Sequence, residues 1–309
     1  MMKFPRQLAS NQPLRIAALA LSGSVDPMQL ERGAIALRER GHEVSVPSAA
    51  TAEWRYFAGD DDSRLRALND ALASDAELIF FARGGYGLSR ILHRIDWRAV
   101  AASGKTFCGF SDVTAFSLAA LAHENYVTYS GPVLAGLFPN EAETAAFVEH
   151  ELFDVLCSSA HAYPICENDV SLSVREIKGT LWGTNLAMIS HLVGTPFMPR
   201  IDDGILLIED IAESPYRVER MLWQLKHAGI LDRQRAIILG EFTQCEPSPT
   251  LRYPYSMPEV IETLRSMVGC PVLTGFPFGH VARKTTLPMG ARASLAIDST
   301  SFQLSVTRS

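Results

Sequence analysis

The N-terminal half of this chain alternates between short apolar runs and amphipathic stretches of roughly a dozen residues, which limits it to very few folds. Residues 15–21 (RIAALAL) read as a buried strand, and 27–40 as a helix with Leu30, Ala34, Ile35 and Leu37 inward and Gly41 at its C′ position. The pattern repeats as strand 43–46, helix 61–73, strand 77–82, helix 88–95, strand 106–110, helix 112–123 and strand 126–130, with a last helix over 141–156. Such a chain builds a parallel sheet covered by helices on both faces, with ligands at the carboxyl ends of the strands. The fold class expected is therefore α/β.

With 309 residues, the chain exceeds one comfortable core, so two domains are expected. We place an N-terminal α/β domain at 1–157, a linker at 158–173 where periodicity fades, and a C-terminal domain at 174–309. The second half is less regular. It offers a strand at 174–177, a helical segment from Gly183 to about residue 193, and a fully apolar strand at 204–208. A helix at 215–228 follows, with Ser214 as N-cap and Pro215 at N1, then strands at 236–242 and 272–274, a helix at 257–267 and a closing hairpin of 291–297 with 302–306.

A net charge of −6 without a basic cluster leaves no footprint for nucleic acid, and no apolar run reaches the ~18 residues that span a bilayer. The run at 16–21 is too short for an export signal, so residues before it read as an unstructured leader. Five scattered cysteines without a C-x-x-C pair argue against a disulfide framework or zinc site and fit a reducing cytoplasm.

Chemistry concentrates at three strand ends. In Gly109-Phe110-Ser111-Asp112, a strand stops at one serine and a helix starts at once, which lifts the hydroxyl above the sheet edge. Val113 stands where a G-x-S-x-G elbow has its last glycine, and most serines so placed only cap a helix. Arg83-Gly84-Gly85-Tyr86-Gly87 follows the neighbouring strand; its glycines let backbone amides approach a ligand, as an oxyanion hole, a phosphate cradle or simply a tight turn. Glu209, Asp210 and Glu213 cluster after strand 204–208 without the spacing of a metal site; one carboxylate orienting an imidazole needs only Glu209. His42, His93, His123, His150 and His227 read as capping or solvated, His161 as part of the linker, and His191 as a buried core histidine. His280 differs, because it lies in a glycine- and proline-shaped loop directly after a strand. These positions give a proton relay Ser111–His280–Glu209, with amides of Gly84 or Gly85 and of Asp112 receiving an oxyanion.

These motifs, with Gly179-Thr180-Leu181-Trp182-Gly183-Thr184-Asn185-Leu186 and Leu207-Ile208-Glu209-Asp210-Ile211-Ala212-Glu213, run in register over most of the chain. Together they resemble the LD-carboxypeptidases, serine peptidases of bacterial murein recycling, and most closely their cytoplasmic muramoyltetrapeptide branch. The resemblance implies a flavodoxin- or amidotransferase-like N-terminal domain carrying Ser111 and a smaller mixed α/β C-terminal domain carrying Glu209 and His280. It also implies substrate contacts from Tyr86 and Asn185, no metal or cofactor, and a homodimer. The expected substrate is a murein tetrapeptide, free or sugar-linked, that loses D-alanine from the L-centre of diaminopimelate. Two alternatives stand beside this: a microcin-type self-immunity peptidase acting on peptidyl nucleotides, and a non-catalytic binder of murein fragments. Thr184 stands where the family often has glycine. Arg83 is the cation suspected of meeting the substrate's terminal carboxylate.

Overall fold

Five parallel strands and one antiparallel strand make the first sheet. Its parallel members are β1 (Arg15–Leu19), β2 (Glu43–Ser45), β3 (Leu78–Phe81), β4 (Thr106–Gly109) and β5 (Thr128–Ser130), in the order β2-β1-β3-β4-β5. The computed structural model describes residues 1–10, 12–169, 171–247, 250, 252 and 254–308. Helices α1 (Pro27–Glu39), α2 (Asp61–Ala73), α3 (Trp97–Ser103), α4 (Thr114–Glu124) and α5 (Ala142–Cys157) accompany this sheet. α1 and α2 start where short acids can cap them: Asp26 accepts from the Met28 amide and Asp60 from that of Ser63.

The second sheet is larger. Strands β6 (Ala160–Ala162), β7 (Cys166–Glu167), β8 (Arg175–Asn185), β9 (Gly204–Ile211), β10 (Gln234–Thr243), β11 (Val272–Leu273), β13 (Arg292–Ile297) and β14 (Ser301–Thr307) take the order β11-β10-β9-β8-β13-β14-β6, with β7 also beside β14. Its helices are α6 (Leu186–Leu192), α7 (Pro215–His227) and α8 (Met257–Met267). β12 (Leu287–Met289) leaves this half of the sequence and pairs antiparallel with β5, closing the edge of the first sheet.

Alternate residues of the buried strands serve two cores, as a period of two requires. Ala17, Leu19, Ile79, Phe81 and Phe107 join Leu206, Ile208, Ile237 and Leu239 in one, while Ile16, Ala18, Leu78, Phe80 and Cys108 join Ile205, Leu207, Ala236 and Ile238 in the other. Both cores therefore run through the two sheets. α4 is buried from Thr114 through Leu121, because α3 and α6 pack on it and β8 and β12 flank it.

Several expectations need correction. The leader is docked: Lys3 bridges to Tyr126, the Arg6 amide donates to Gly104 O, and Pro5 and Leu8 are buried. Residues 88–95 form two 3-10 turns, Leu88–Arg90 and Leu92–Arg94, instead of a helix. Residues 158–173 carry β6 and β7 on the edge of the second sheet; Val170, within that stretch, lies outside the described residues. β8 reaches Asn185 instead of stopping at 177, so the helix begins only at Leu186, and β9 continues through Glu209 and Asp210 to Ile211.

Candidate active site

β4 ends at Gly109, Phe110 stays extended, and Ser111 turns at φ +67° into a 3-10 turn that continues as α4. That left-handed conformation costs a serine on the order of 1 kcal/mol, and it holds the hydroxyl half-exposed at the carboxyl end of the sheet.

β8 and β9 run parallel, with Asn185 paired to Glu209 where β8 ends. Glu209 is fully buried, and Asp210 is 2% exposed. His280, in the loop after Phe278-Gly279, is 15% exposed at its side chain and connects the two halves. Its Nδ1–H donates to Glu209 Oε2 at 2.8 Å, and its Nε2 accepts from the Ser111 hydroxyl at 3.0 Å. The carboxylate fixes the tautomer that leaves Nε2 free to accept. Asn185 Nδ2 donates to the other Glu209 oxygen at 3.3 Å and to Asp210 Oδ1 at 3.0 Å.

Asp210 makes its contacts away from Ser111 and His280. It accepts from the Ala187 amide at 2.9 Å at the start of α6, and from its neighbour Ile211. Burial, reinforced by the Glu209 charge, pushes its carboxyl up to about 6. Glu213 pairs with Arg217 at 2.6 Å, so the three acids diverge. Among the described residues, no group of three histidine, cysteine or acidic side chains is placed to hold a metal ion.

The glycine run reaches the serine. A Cβ on Gly84 would lie 2.7 Å from Ser111 Cβ and 3.0 Å from its Oγ, so only glycine lets the backbone come this close. The Gly84 carbonyl accepts from the Gly23 amide, while the Gly84 and Gly85 amides donate to no other backbone group among the described residues. Tyr86 is exposed beside them and packs on Phe57, ring centroids 5.9 Å apart.

The Asp112 side chain points inward. It accepts from the Ser22 hydroxyl at 2.6 Å and the Leu88 amide at 3.0 Å, tying the loops after β1 and β3 to the serine turn. Burial raises its carboxyl above the usual range, against the pull of the Ser22 hydrogen bond. Arg64, fully buried, adds a second brace by donating to the carbonyls of Leu21 and Gly87. Ser22 and Arg64 carry no motif signal, because their role arises from contacts across the sheet edge.

Thr184 adopts φ +116°, where glycine is at home, and its hydroxyl meets that of Thr114 at 2.6 Å across the two halves. The strained backbone and the buried hydroxyl contact thus meet at one residue. Lys284 was not singled out by the sequence, yet its ammonium lies 3.9 Å from the centre of the Phe110 ring, against which His280 also packs at 4.8 Å. Arg83 is exposed and donates to the Ser24 carbonyl. His191 is exposed rather than buried, and His161 is a buried β6 residue held between Glu151 and Asp154.

A hydroxyl, an imidazole and a buried carboxylate linked in series on the strand ends of an α/β fold define a serine hydrolase. The chain belongs to the LD-carboxypeptidase family: the profile of its N-terminal domain matches residues 16–131, and that of its C-terminal domain residues 178–295. Among relatives, a Bacillus subtilis (strain 168) protein named "Probable murein peptide carboxypeptidase" is 31% identical over 93% of this chain and 90% of its own. The crystal structure of muramoyltetrapeptide carboxypeptidase from Oxalobacter formigenes superposes with a TM-score of 0.87 at 38% identity, covering 95% of this chain and 98% of that one. The microcin C7 self-immunity protein of Escherichia coli is 27% identical over 89% of this chain and 87% of its own. Among the described residues, no helix is long and apolar enough to cross a membrane.

Proposed function

We propose that this protein is a serine carboxypeptidase that releases terminal D-alanine from murein tetrapeptides by cutting the bond at the L-centre of diaminopimelate. The observation that carries this reading is the hydrogen-bonded series Ser111–His280–Glu209 in a member of the LD-carboxypeptidase family. Ser111 Oγ attacks the scissile carbonyl as His280 Nε2 takes its proton, and Glu209 stabilises the imidazolium. Amides of Gly84 or Gly85 and of Asp112 receive the oxyanion. His280 then protonates the departing nitrogen, D-alanine leaves, and water resolves the acyl-enzyme by the same relay. Tyr86 and Asn185 belong to this reading as substrate contacts. Asn185 is 5% exposed and donates to Glu209, which fits it better to steadying that carboxylate.

Residues 1–157 act as the nucleophile-bearing domain and 174–309 as the His/Glu-bearing domain, with 158–173 contributing β6 and β7 to the sheet of the latter. A cytoplasmic homodimer without nucleic-acid partners completes the reading, supported by the family resemblance and, for the last, by the net charge of −6. Purified protein incubated with murein tetrapeptide should release D-alanine and tripeptide. Release that persists undiminished in Ser111→Ala would overturn the mechanism, while turnover of peptidyl nucleotides in preference to murein peptide would replace the substrate.

A further inference from the structure

A carboxypeptidase must recognise the end of its substrate. A hydroxyl–imidazole–carboxylate relay cuts acyl groups whatever the length of the leaving group, so the restriction to the last residue needs a separate group. The natural device is a cation for the terminal carboxylate. In an α-amino acid leaving group that carboxylate lies two bonds, about 2.5 Å, from the nitrogen that the imidazole protonates. The cation must therefore stand close to His280 and be free to accept an anion.

Lys284 meets both conditions. Its Nζ sits over one face of the Phe110 ring at 3.9 Å, and the His280 ring lies 4.8 Å from the same ring. The loop that bears both residues is closed at its neck, where Pro277 O accepts from the Thr285 amide at 2.9 Å and the Thr285 hydroxyl at 3.2 Å. His280 and Lys284 are thus held in one frame. Among the described residues, no carbonyl or carboxylate takes a hydrogen bond or ion pair from Lys284. The anion whose charge it feels, Glu209, is committed to His280 and Asn185. Burial disfavours this ammonium, and a carboxylate placed against it offsets that cost. Of the other cations in these two loops, Arg83 donates to Ser24 O, and Arg283 stacks on the Phe147 ring, away from the Phe110 ring that Lys284 and His280 share.

We infer that Lys284 receives the C-terminal carboxylate of the substrate and thereby confines hydrolysis to the terminal residue. This rests on the peptidase reading above and adds its specificity determinant. The test compares kcat/KM for the tetrapeptide with that for the same peptide carrying a C-terminal amide, in the full-length protein. Wild type should prefer the free acid by on the order of 10²-fold, the range of a close charge pair. In Lys284→Gln and Lys284→Met the preference should collapse toward unity through loss of activity on the acid, with activity on the amide kept within about threefold. Lys284→Arg, which keeps the charge, should retain most of the preference.

Equal losses on acid and amide, or an unchanged ratio, would overturn the assignment while leaving the peptidase reading intact. Wild type that releases nothing from either peptide would sink both. A measurement independent of neutral variants uses Ser111→Ala protein: the tetrapeptide, but not its amide, should shield Lys284 from an amine-reactive reagent, read by mass spectrometry. Equal shielding by both peptides would count against the carboxylate contact.

Discussion

Ser111 and His280 meet at 3.0 Å, Oγ to Nε2, although one opens a helix beside the first sheet and the other lies in a loop leaving the second. The serine pays for its position with a φ of +67°. Two replacements should therefore separate. Ser111→Ala should cut D-alanine release by several orders of magnitude and leave stability near wild type, whereas Ser111→Gly should abolish release equally and raise stability by ~1 kcal/mol. Calorimetry alongside a turnover assay checks both.

Glu209 is fully buried and keeps one oxygen on His280 and the other on Asn185. Glu209→Gln preserves shape but favours the wrong imidazole tautomer. We expect kcat to fall by roughly 10³–10⁴ with KM nearly unchanged. A KM rise with intact kcat would instead mark Glu209 as a binding residue.

Gly84 lies against Ser111, the proposed nucleophile. In Gly84→Ala the new methyl would press on Ser111 at 2.7 Å, and backbone and side chain must separate. A displacement of that size should cost about 10²-fold in kcat/KM without a large change in melting temperature. Labelling of Ser111 by a fluorophosphonate should slow in parallel.

Thr184 sets a strained backbone against the Thr114–Thr184 hydroxyl contact. Thr184→Val keeps the strain and takes away the Thr114 hydroxyl's side-chain partner, leaving it only the Asn185 amide at 3.3 Å, which should cost about 1 kcal/mol in denaturant unfolding. Thr184→Gly relieves the strain as it loses the contact, so its stability should lie well above that of the valine variant.

Lys284 carries a pH signature. Burial lowers its ammonium from the usual 10.5 to about 8. The folded state therefore sheds this proton before the unfolded state does. The destabilisation is full below pH 8 and fades as pH rises toward 10.5. Lys284→Met should accordingly raise the melting temperature at about pH 7 by a few degrees, and the gain should shrink at about pH 10. Wild-type kcat/KM on the free acid should decline above about pH 8, a limb that the amide substrate lacks.

Legibility in the sequence tracks the range of the forces involved. α2 and α8 are readable to the residue because their periodicity coincides with local caps, Asp60 for one and the Ser256–Glu259 capping box for the other. The 88–95 segment deceives because Leu88, Ile91, Leu92 and Ile95 have helical spacing and are all buried, yet the Leu88 amide is drawn to the Asp112 carboxylate and only 3-10 turns form. The far half of β8 is hidden by its glycines. A Cβ on Gly183 would lie 2.2 Å from Leu207 O, so the residue that weakens a strand reading is what lets β8 approach β9. Ser111 and His280 stand out in the sequence because each follows a recognisable strand, and Glu209 because it ends the apolar run 204–208, although the strand itself runs on to Ile211. Lys284 does not, since its neighbours Phe110 and Glu209 are distant in the chain.

The return of β12 to the edge of the first sheet has a genetic consequence. A fragment ending at residue 157 would lack the outermost strand of its own sheet, and its complement would carry that strand with nothing to pair. A gene cut at that point should therefore yield two pieces that do not fold independently. The loop that carries His280 leads straight into the strand that completes the sheet bearing Ser111, so both ends of the proposed relay should be built in one folding event.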